Sequence, residues 1–452
     1  MTLDARTLAD WDHRHVWHPF TQMEEWLAAE PLIVERGEGN ELVDVDGRRY
    51  LDGVSSLWCN VHGHRKREID DAVRDQLDRI AHSTMLGLAN VPATVLAKRL
   101  ADIARAPLTR VFYSDAGATA VEIALKIAFQ YWQLRGEERR TVFASLAEAY
   151  HGDTLGSVSL GYSEGFHRFF RPILFPTLRL SPPHVFRFYR GLDAADAVHA
   201  ALEEARRELR ARAPEIAGVF VEPLVQGAAG MWTHPTEYLR GLRELTSELG
   251  LLLICDEVAT GFGRTGTMLA IEQAGIAPDL LCVAKGLTGG YLPLAATLAS
   301  EEIFSAFLGR YEERKAFFHG HTYTGNPLAC AAALASLAVF EAEGVLERFR
   351  RRIATLAELL DREIAPLPNV AEVRRAGGMV GIELMRDPAR RVAYDPGQRI
   401  GNRVILAARR RGVIIRPLGD VVVLMPPLSI TEAELATLVG VTAESIREVT
   451  AE

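Results

Sequence analysis

Short apolar runs alternate with longer amphipathic stretches in the middle of the chain, from about residue 70 to residue 330. Six of these runs have the length and composition of buried strands: RVFYS (110–114), TVFAS (141–145), GVFVEP (218–223), LLLICDE (251–257), LLCVAKG (280–286) and LAATLAS (294–300). The stretches between them, such as 118–133 and 194–212, have helical character. Apolar strands separated by helices predict a mainly parallel sheet with helices on both faces.

The first part of the chain has a different pattern. Residues 31–58 alternate apolar and polar positions, and the pairs Gly39-Asn40 and Asp46-Gly47 interrupt them. Pairs of this kind between alternating segments are typical of tight hairpin turns. We therefore predict short paired strands before the alternating region.

The last part of the chain changes character again. It contains a helical run (328–365), strands within 370–385, a helix at 398–411, the strands VIIRPLG and VVVLMPP, and a closing helix (431–450). The whole pattern predicts an α/β fold with a large domain (66–330) and a smaller α+β domain (331–452), which residues 1–65 join as an N-terminal segment.

Composition narrows the class of protein. The chain has 452 residues, 48% of them apolar and 24% charged, which is typical of a globular protein with more than one domain. The net charge of −8 does not favour a nucleic-acid partner. No apolar stretch reaches the ~20 residues of a membrane span, so we expect no membrane partner. The four cysteines are far apart and form no CxxC pair, which predicts no metal site and fits a reducing cytoplasm.

Two charged residues stand at the ends of predicted strands. Asp256 follows LLLIC, and Lys285 follows LLCVA. Ligands of such sheets bind at the carboxyl ends of the strands. A desolvated lysine has a lowered pKa and becomes a nucleophile toward aldehydes, and a nearby aspartate can keep a pyridine nitrogen protonated. The pair therefore indicates a site for pyridoxal phosphate (PLP).

A glycine-rich segment offers a competing interpretation. GFGRTG (261–266) matches the G-x-G-x-x-G pattern of dinucleotide-binding proteins and follows a predicted strand. The acidic residue that should end the next strand is misplaced, because Asp279 comes before LLCVA rather than after it. We therefore favour a turn-rich active-site loop over the NAD site of a dehydrogenase.

Two further turns could complete a cofactor site, and each also has a plain structural interpretation. Gly117 and Ala118 begin a helix after RVFYS, where free backbone N–H groups suit a phosphate, but an ordinary turn between strand and helix fits as well. Tyr150 follows TVFAS and could stack on a planar cofactor, with His151 and Asp153 as hydrogen-bonding neighbours. A Tyr-His-Gly turn alone is more often structural.

Three more polar residues are candidates on the same grounds. Glu222 follows GVFV and could orient the cofactor or Asp256, or could be a surface carboxylate. Thr322 in FFHGHTYTGNP (317–327) could give a hydroxyl group to a phosphate. Arg416 follows an apolar strand, and an arginine there suits a bidentate contact with a carboxylate, with a surface arginine as the alternative.

These segments together resemble the class III aminotransferases of fold type I over nearly the whole chain. The resemblance is carried by DEVATGFGRTG (256–266), AKGLTGG (284–290) and HTYTGNPLACAAA (321–333). It is narrowed by WHPFTQM (17–23), DGVSSLWCNVHGH (52–64), YHGDTLG (150–156) and RPLGDVVVLMPP (416–427). These four segments resemble the corresponding segments of one branch of the family, the aminotransferases that aminate 8-amino-7-oxononanoate in biotin biosynthesis. The resemblance implies a PLP-dependent homodimer with active sites at the interface.

The resemblance also implies roles for residues at the matching positions. Lys285 would form the Schiff base with PLP, Asp256 would face the pyridine nitrogen, and Tyr150 would stack on the ring while contacting substrate. Gly117 and Ala118 would hold the phosphate.

Other implied roles concern the substrate and the partner subunit. Gly320, His321 and Thr322 would reach the active site of the partner subunit, with Thr322 on the phosphate. Arg416 would bind the carboxylate of the keto acid.

Three substrate-side positions depart from many members of the family. Phe20 stands where tyrosine is common, Leu57 leaves Trp58 without the tryptophan that often precedes it, and Val423 replaces an aromatic residue. S-adenosylmethionine, the usual amino donor of the branch, is a sulfonium cation that aromatic walls favour. The donor therefore stays open between S-adenosylmethionine and lysine.

Two further alternatives remain at this point. A broader ω-amine:keto acid transaminase, with pyruvate as acceptor, would use the same chemistry. A non-catalytic binding or regulatory protein of the same fold is disfavoured because both Lys285 and Asp256 are present.

Overall fold

A computed structural model describes residues 4–451. The helices are α1 (Ala5–His15), α2 (Met23–Ala28), α3 (Ser55–Trp58), α4 (Arg67–Leu77), α5 (Val91–Ala104), α6 (Gly117–Leu134), α7 (Leu155–Leu160), α8 (Glu164–His167), α9 (Ala194–Arg212), α10 (Thr236–Glu248), α11 (Ile271–Ala274), α12 (Glu301–Ala306), α13 (Pro327–Ala342), α14 (Val345–Glu363), α15 (Ile400–Arg410) and α16 (Glu432–Thr450).

The strands are β1 (Val34–Glu38), β2 (Glu41–Asp44), β3 (Arg49–Asp52), β4 (Leu108–Ser114), β5 (Val142–Leu146), β6 (Thr177–Leu180), β7 (Ile216–Val221), β8 (Val225–Gln226), β9 (Trp232–Thr233), β10 (Leu252–Asp256), β11 (Leu280–Val283), β12 (Ala295–Ser300), β13 (Val370–Ala376), β14 (Met379–Leu384), β15 (Val413–Ile414), β16 (Arg416–Leu418) and β17 (Val421–Leu424).

A seven-stranded sheet forms the centre of the molecule. Its strand order is β4-β12-β11-β10-β7-β5-β6. Strand β12 runs in the direction opposite to that of the other six strands, which are parallel to one another. The six strands predicted from the apolar runs are all present, so the mainly parallel α/β fold is confirmed. The edge strand β6 was not predicted, because its sequence TLRL is short and half polar.

Side chains of the sheet alternate between two apolar layers. On β10, Leu253 and Cys255 face one buried cluster that also contains residues of α5, α10 and α13. Leu252 and Ile254 face a second cluster that is built mainly on α6. A central strand buried on both faces reads as a continuous apolar run, which explains the sequence LLLIC.

Three smaller sheets lie outside the central one: two have four strands, and the third is the pair β8 and β9. Strands β13, β14, β17 and β16 form an antiparallel sheet, and β1, β2 and β3 form another that is completed by the parallel strand β15. The N-terminal segment therefore pairs with C-terminal residues, as the proposed arrangement of the smaller domain requires. The boundaries at 65/66 and 330/331 stay a prediction, and the second falls within α13.

The long C-terminal helical run is broken in two. Helices α13 and α14 are separated at Gly344, whose φ of 57° is left-handed, a conformation that glycine adopts without a steric penalty. Among residues 4–451 no single helix has both the length and the apolar character to cross a membrane, although this bent pair meets the criterion by length and composition.

Candidate active site

The carboxyl ends of five strands meet around one cavity. Strands β4, β5, β7, β10 and β11 all end at this edge of the central sheet, and the cavity beside them has a volume of about 660 Å³. Its wall includes Trp58, Gly117, Ala118, Tyr150, His151, Asp153, Glu222, Asp256, Lys285 and residues 290–294. Asp256 and Lys285 therefore line the same cavity, as the strand ends led us to expect.

Lys285 lies directly after β11, at the start of a short 3-10 helix (Lys285–Thr288). Its φ of 46° is left-handed, which is uncommon for a residue with a side chain and indicates a constrained position. Among the described residues Nζ makes no hydrogen bond or ion pair, and it lies 5.2 Å from the centre of the Trp58 ring. Burial lowers the pKa of Lys285, while Asp256 and Glu222 oppose this shift. The neutral amine, which is the nucleophilic form, is therefore easier to reach here than for a lysine in water.

Asp256 is the last residue of β10 and is almost fully buried. Its Oδ2 lies 2.7 Å from Nδ1 of His151, and its Oδ1 accepts a hydrogen bond from the Val258 backbone N–H at 3.0 Å. Because the carboxylate accepts, Nδ1 of His151 carries the proton, which leaves Nε2 as a buried atom without a partner in the described residues. The hydrogen bond from His151 therefore fixes the orientation of the Asp256 carboxylate.

Glu222 is a buried carboxyl group, so the alternative of a surface carboxylate is wrong. Its two oxygens accept hydrogen bonds from the backbone N–H groups of Tyr150 at 3.1 Å and Gly227 at 3.0 Å. Burial raises its pKa to about 7, against the opposing effect of His151. Glu222 thus ties two loops of the cavity wall together.

The start of α6 has the features of a phosphate cradle. Its N-cap residue, Ala116, gives no side-chain cap, and the N–H groups of Gly117 and Ala118 donate to no acceptor within residues 4–451. The backbone is tightly approached here, since a Cβ atom at Gly117 would lie 2.5 Å from Cγ1 of Val258. Free N–H groups at the positive end of an 18-residue helix suit an anion.

Tyr150 borders the same cavity. Its hydroxyl group donates to Oδ2 of Asp153 at 2.6 Å, and its ring stacks on His167 with a centroid distance of 6.4 Å. Burial raises the pKa of Tyr150 above its ordinary value of 10, so the hydroxyl group stays protonated near neutral pH. One face of the Tyr150 ring is thus supported by His167, and its hydroxyl group is held by Asp153.

Arg416 and Phe20 lie farther out, in two cavities that adjoin each other. Nε of Arg416 is buried without a hydrogen-bond partner among the described residues, and burial lowers its pKa. Arg416 is therefore a half-buried arginine that lines both cavities, and its role in carboxylate binding stays a prediction. Phe20 is 60% exposed and has a left-handed φ of 50°.

The segment predicted to reach a partner subunit lies on the surface of this chain. Gly320 and Thr322 are exposed, and Nδ1 of His321 lies 2.7 Å from Oδ2 of Asp115. None of the three lines the 660 Å³ cavity, although Asp115 does. Their assignment to a partner's site stays a prediction.

The three departing positions have different surroundings. Leu57 is half exposed and lines an outer cavity with Phe20. Val423 is fully buried on β17, in an apolar cluster that includes Trp58, and borders none of the cavities described above. It pairs with Arg416 across strands β16 and β17, so its effect on substrates would pass through Arg416 or through the packing of Trp58.

The glycine-rich segment GFGRTG (261–266) has a structural role. Gly263 and Gly266 take left-handed φ values of 89° and 101°, and the loop between them carries the buried Arg264. The Arg264 guanidinium donates to the Asn60 carbonyl at 2.7 Å and to the Pro426 carbonyl at 2.9 Å. The loop thus anchors segments from both ends of the chain rather than a dinucleotide.

Several wall residues were not predicted. Cys59 and residues 290–294 border the cavity because α3 and the loop after Lys285 fold over it. α3 is a single left-handed turn, with positive φ at all four residues from Ser55 to Trp58. The motif AKGLTGG was a signal for the loop after Lys285, but no pattern indicated the left-handed turn.

These residues fit pyridoxal phosphate. An uncapped helix start and a buried carboxylate supported by His151 line the cavity, and so does Lys285, a desolvated lysine with no hydrogen bond or ion pair among residues 4–451. Among residues 4–451 there is no group of three or more His, Cys, Asp or Glu side chains arranged for a metal ion.

Comparisons with known proteins agree with this geometry. The family model described as Aminotransferase class-III matches residues 23–446. The chain is 58% identical, over 97% of its length and 81% of the relative's, to the adenosylmethionine-8-amino-7-oxononanoate aminotransferase of Nitratidesulfovibrio vulgaris.

Solved structures give the same result. The crystal structure of the enzyme with that name from Methanocaldococcus jannaschii is 46% identical, with a TM-score of 0.93 over 98% of this chain and 99% of that chain. An amine transaminase from an uncultivated Pseudomonas species, solved in the PLP-bound form, is 37% identical, with a TM-score of 0.91 over 97% of this chain and 98% of that chain.

Proposed function

The chain belongs to the class-III aminotransferase family, and from this premise we propose that it transfers an amino group to 8-amino-7-oxononanoate, with S-adenosylmethionine as donor and PLP as cofactor. The product is 7,8-diaminononanoate, an intermediate of biotin biosynthesis. The observation that carries the proposal is the meeting of Lys285 and Asp256 at one buried cavity.

The reaction needs a proton to leave a carbon that bears an amine. Bound PLP supplies an electron sink for the charge that this proton leaves behind. Burial makes the neutral form of Nζ of Lys285 easier to reach, and in that form Nζ can take the proton from the donor's α-carbon and deliver it elsewhere in the same cavity. Trp58 covers Nζ on one side and limits the access of water.

Other residues hold the cofactor in place. The N–H groups of Gly117 and Ala118 would bind its phosphate, and the Asp256 carboxylate would face its ring nitrogen and keep that nitrogen protonated. The ring of Tyr150, supported by His167, would stack against the cofactor or the bound substrate.

Arg416 would bind the acceptor. Its guanidinium is partly buried, and its Nε has no hydrogen-bond partner in the described part of the chain, so a carboxylate that enters the outer cavity gains a charge-assisted hydrogen bond. The proposal requires the carboxylate at the end of the nonanoate chain to lie at Arg416 while the keto carbon lies near Lys285. Donor and acceptor would use the cavity in turn, which predicts ping-pong kinetics.

A homodimer completes the proposal. A patch of exposed apolar side chains surrounds the segment that carries Gly320 and Thr322: Leu86, Leu88, Val91, Phe318 and Tyr323. The two chain segments of this patch are joined, because Nδ2 of Asn90 donates to the Gly325 carbonyl at 3.0 Å. An exposed apolar patch of this kind is typical of a subunit interface.

The broader amine transaminase is the second candidate, supported by the similarity to the amine transaminase from the Pseudomonas species. One assay separates the two. Purified protein is incubated with 8-amino-7-oxononanoate and S-adenosylmethionine, lysine or a simple primary amine, and 7,8-diaminononanoate is measured by mass spectrometry. Parallel reactions use pyruvate as the acceptor.

The proposal expects diamine from 8-amino-7-oxononanoate with S-adenosylmethionine, and a much slower reaction with pyruvate. Diamine from lysine alone would replace the donor in the proposal. Efficient amination of pyruvate without any diamine would establish the broader transaminase instead.

A further inference from the structure

A succession of aromatic rings leads from the inner cavity to an outer cavity. Tyr150 stacks on His167 at a centroid distance of 6.4 Å, His167 meets Phe166 at 6.1 Å, and Phe166 meets Phe20 edge to face at 6.1 Å. Tyr150 borders the inner cavity, whereas Phe166 and Phe20 border an outer cavity of about 660 Å³. Two successive spaces are thus connected by one aromatic wall.

The inner end of this path is held rigidly. His167 is almost fully buried, and its Nδ1 accepts a hydrogen bond from the Ser163 backbone N–H at 3.1 Å. Its Nε2 therefore carries the proton and lies 3.7 Å from Oδ1 of Asp153, the residue that also accepts a hydrogen bond from the Tyr150 hydroxyl group. Phe166 directly precedes His167 in the chain, so this anchoring restricts the backbone that carries the Phe166 ring.

The outer end is held by the N-terminal segment. Asp12 lies 2.9 Å from Nε2 of His18 and accepts a hydrogen bond from Nε1 of Trp26 at 2.7 Å. These contacts fix both flanks of Phe20, whose left-handed φ turns its ring toward Phe166. Phe20 and Phe166 stay 60% and 47% exposed although both are large apolar side chains.

The two rings form a corner with an interplanar angle of 88°. A planar heterocycle can stack on one ring while its edge meets the face of the other, and both arrangements are favourable for aromatic pairs. The proposed donor carries such a heterocycle, its adenine. The adenine lies at the opposite end of the molecule from the reacting amine, so it can occupy the outer cavity while the amine lies in the inner one. Lysine has no group for this corner.

We infer that Phe166, together with Phe20, binds the adenine ring of S-adenosylmethionine and so makes Phe166 a donor-specificity residue. This inference rests on the proposed function. It places the adenosyl group in the outer cavity while the amino-acid end of the donor occupies the cavity beside Lys285.

Kinetics with Phe166→Ala test the inference. The KM for S-adenosylmethionine should rise about tenfold, because one stacking partner is lost, while the KM for 8-amino-7-oxononanoate and any lysine-supported rate stay unchanged. Phe166→Tyr, which keeps an aromatic face, should restore the donor KM. Phe169→Ala is the matched control, since Phe169 lies on the same segment, is 79% exposed and borders no cavity described here.

Calorimetry of S-adenosylmethionine and of adenosine binding to the same holoenzyme variants separates this inference from the proposed function. Weaker binding of both probes to Phe166→Ala supports the inference, even if the wild-type protein were to make no diamine. If the wild-type protein makes diamine and Phe166→Ala changes neither the donor KM nor the binding of the probes by more than twofold, the inference is wrong and the proposed function stands.

Discussion

The inner site and the outer rim of the cavity are built in different ways. The inner site (Lys285, Asp256 and Glu222) lies at the ends of neighbouring central strands, and its two carboxyl groups are held by backbone N–H groups and His151. The outer rim (Phe20, Phe166 and Arg416) comes from three separate parts of the chain and its phenylalanines are half exposed.

This difference separates chemistry from selection. The inner site cannot change without disturbing buried strands and charges, whereas the outer rim can change with little cost to the fold. We therefore expect substitutions in the inner site to abolish turnover with every substrate, and substitutions in the outer rim to change one substrate at a time.

Lys285→Ala tests the inner site most severely. We expect kcat to fall by at least about 10³-fold with every donor, because the group that moves the proton is removed. The rate of a single half-reaction with S-adenosylmethionine, followed by stopped-flow absorbance, measures the effect. Lys98→Ala is the control, since Lys98 is an exposed lysine paired with Asp102. Substantial activity in Lys285→Ala would remove Lys285 from the mechanism.

Asp256→Asn should have the next largest effect. The amide cannot hold a positive charge on the ring nitrogen, and one hydrogen-bond acceptor facing His151 is lost. We expect kcat to fall by about 10²-fold to 10³-fold with all donors alike. A fall in kcat with only one substrate would show that Asp256 acts in substrate selection, as the outer rim does. That result would contradict the difference between the inner site and the outer rim. Circular dichroism checks that the variant is folded.

Arg416→Ala should act on the acceptor. We expect the KM for 8-amino-7-oxononanoate to rise about 10-fold to 100-fold, because a charge-assisted hydrogen bond to the carboxylate is lost. An acceptor analogue that lacks the carboxylate should show no such change. Arg386→Ala, which removes an exposed arginine of the same region, is the control. An equal fall in kcat for both acceptors would contradict the assigned role.

Glu222→Gln should have the smallest effect of the four substitutions. It should change the free energy of unfolding. Burial raises the pKa of Glu222 from an ordinary 4.5 to about 7, so the folded protein retains a proton that the unfolded chain loses. The resulting stability is complete below pH 4.5 and is lost as the pH rises to about 7. At pH 8 the glutamine variant should therefore be more stable than the wild-type protein by about 1–2 kcal/mol.

Urea unfolding of the apoprotein at pH 5 and pH 8 measures this difference. The advantage of Glu222→Gln should be present at pH 8 and small at pH 5. Glu138→Gln, at an exposed position, should show no dependence on pH. A stability difference that is equal at both pH values would indicate lost packing or hydrogen bonds rather than an altered ionisation.

The sequence predicted the inner site far better than the outer rim. Central strands such as β10 and β11 are continuous apolar runs, so a charged residue at the end of such a run stands out and its place at the sheet edge follows. The helix Ala194–Arg212 was likewise predicted at its observed bounds. Local patterns suffice for features of this kind.

The outer rim depends on contacts between distant segments. Phe166 was not singled out, because its neighbour Phe20 is 146 residues away in the chain and no local period connects them. The left-handed turn from Ser55 to Trp58 was missed for a similar reason. It is held by the Met425 carbonyl, which accepts from the Ser55 hydroxyl group at 2.6 Å, and by Arg264.

The most direct test of the account is to find where the cofactor attaches. The protein is loaded with PLP, reduced with borohydride and digested, and the modified peptide is identified by mass spectrometry. The account predicts a pyridoxyl group on Lys285 and on none of the four other lysines: Lys66, Lys98, Lys126 and Lys315. A label on another lysine, or no label on a loaded protein, would contradict it.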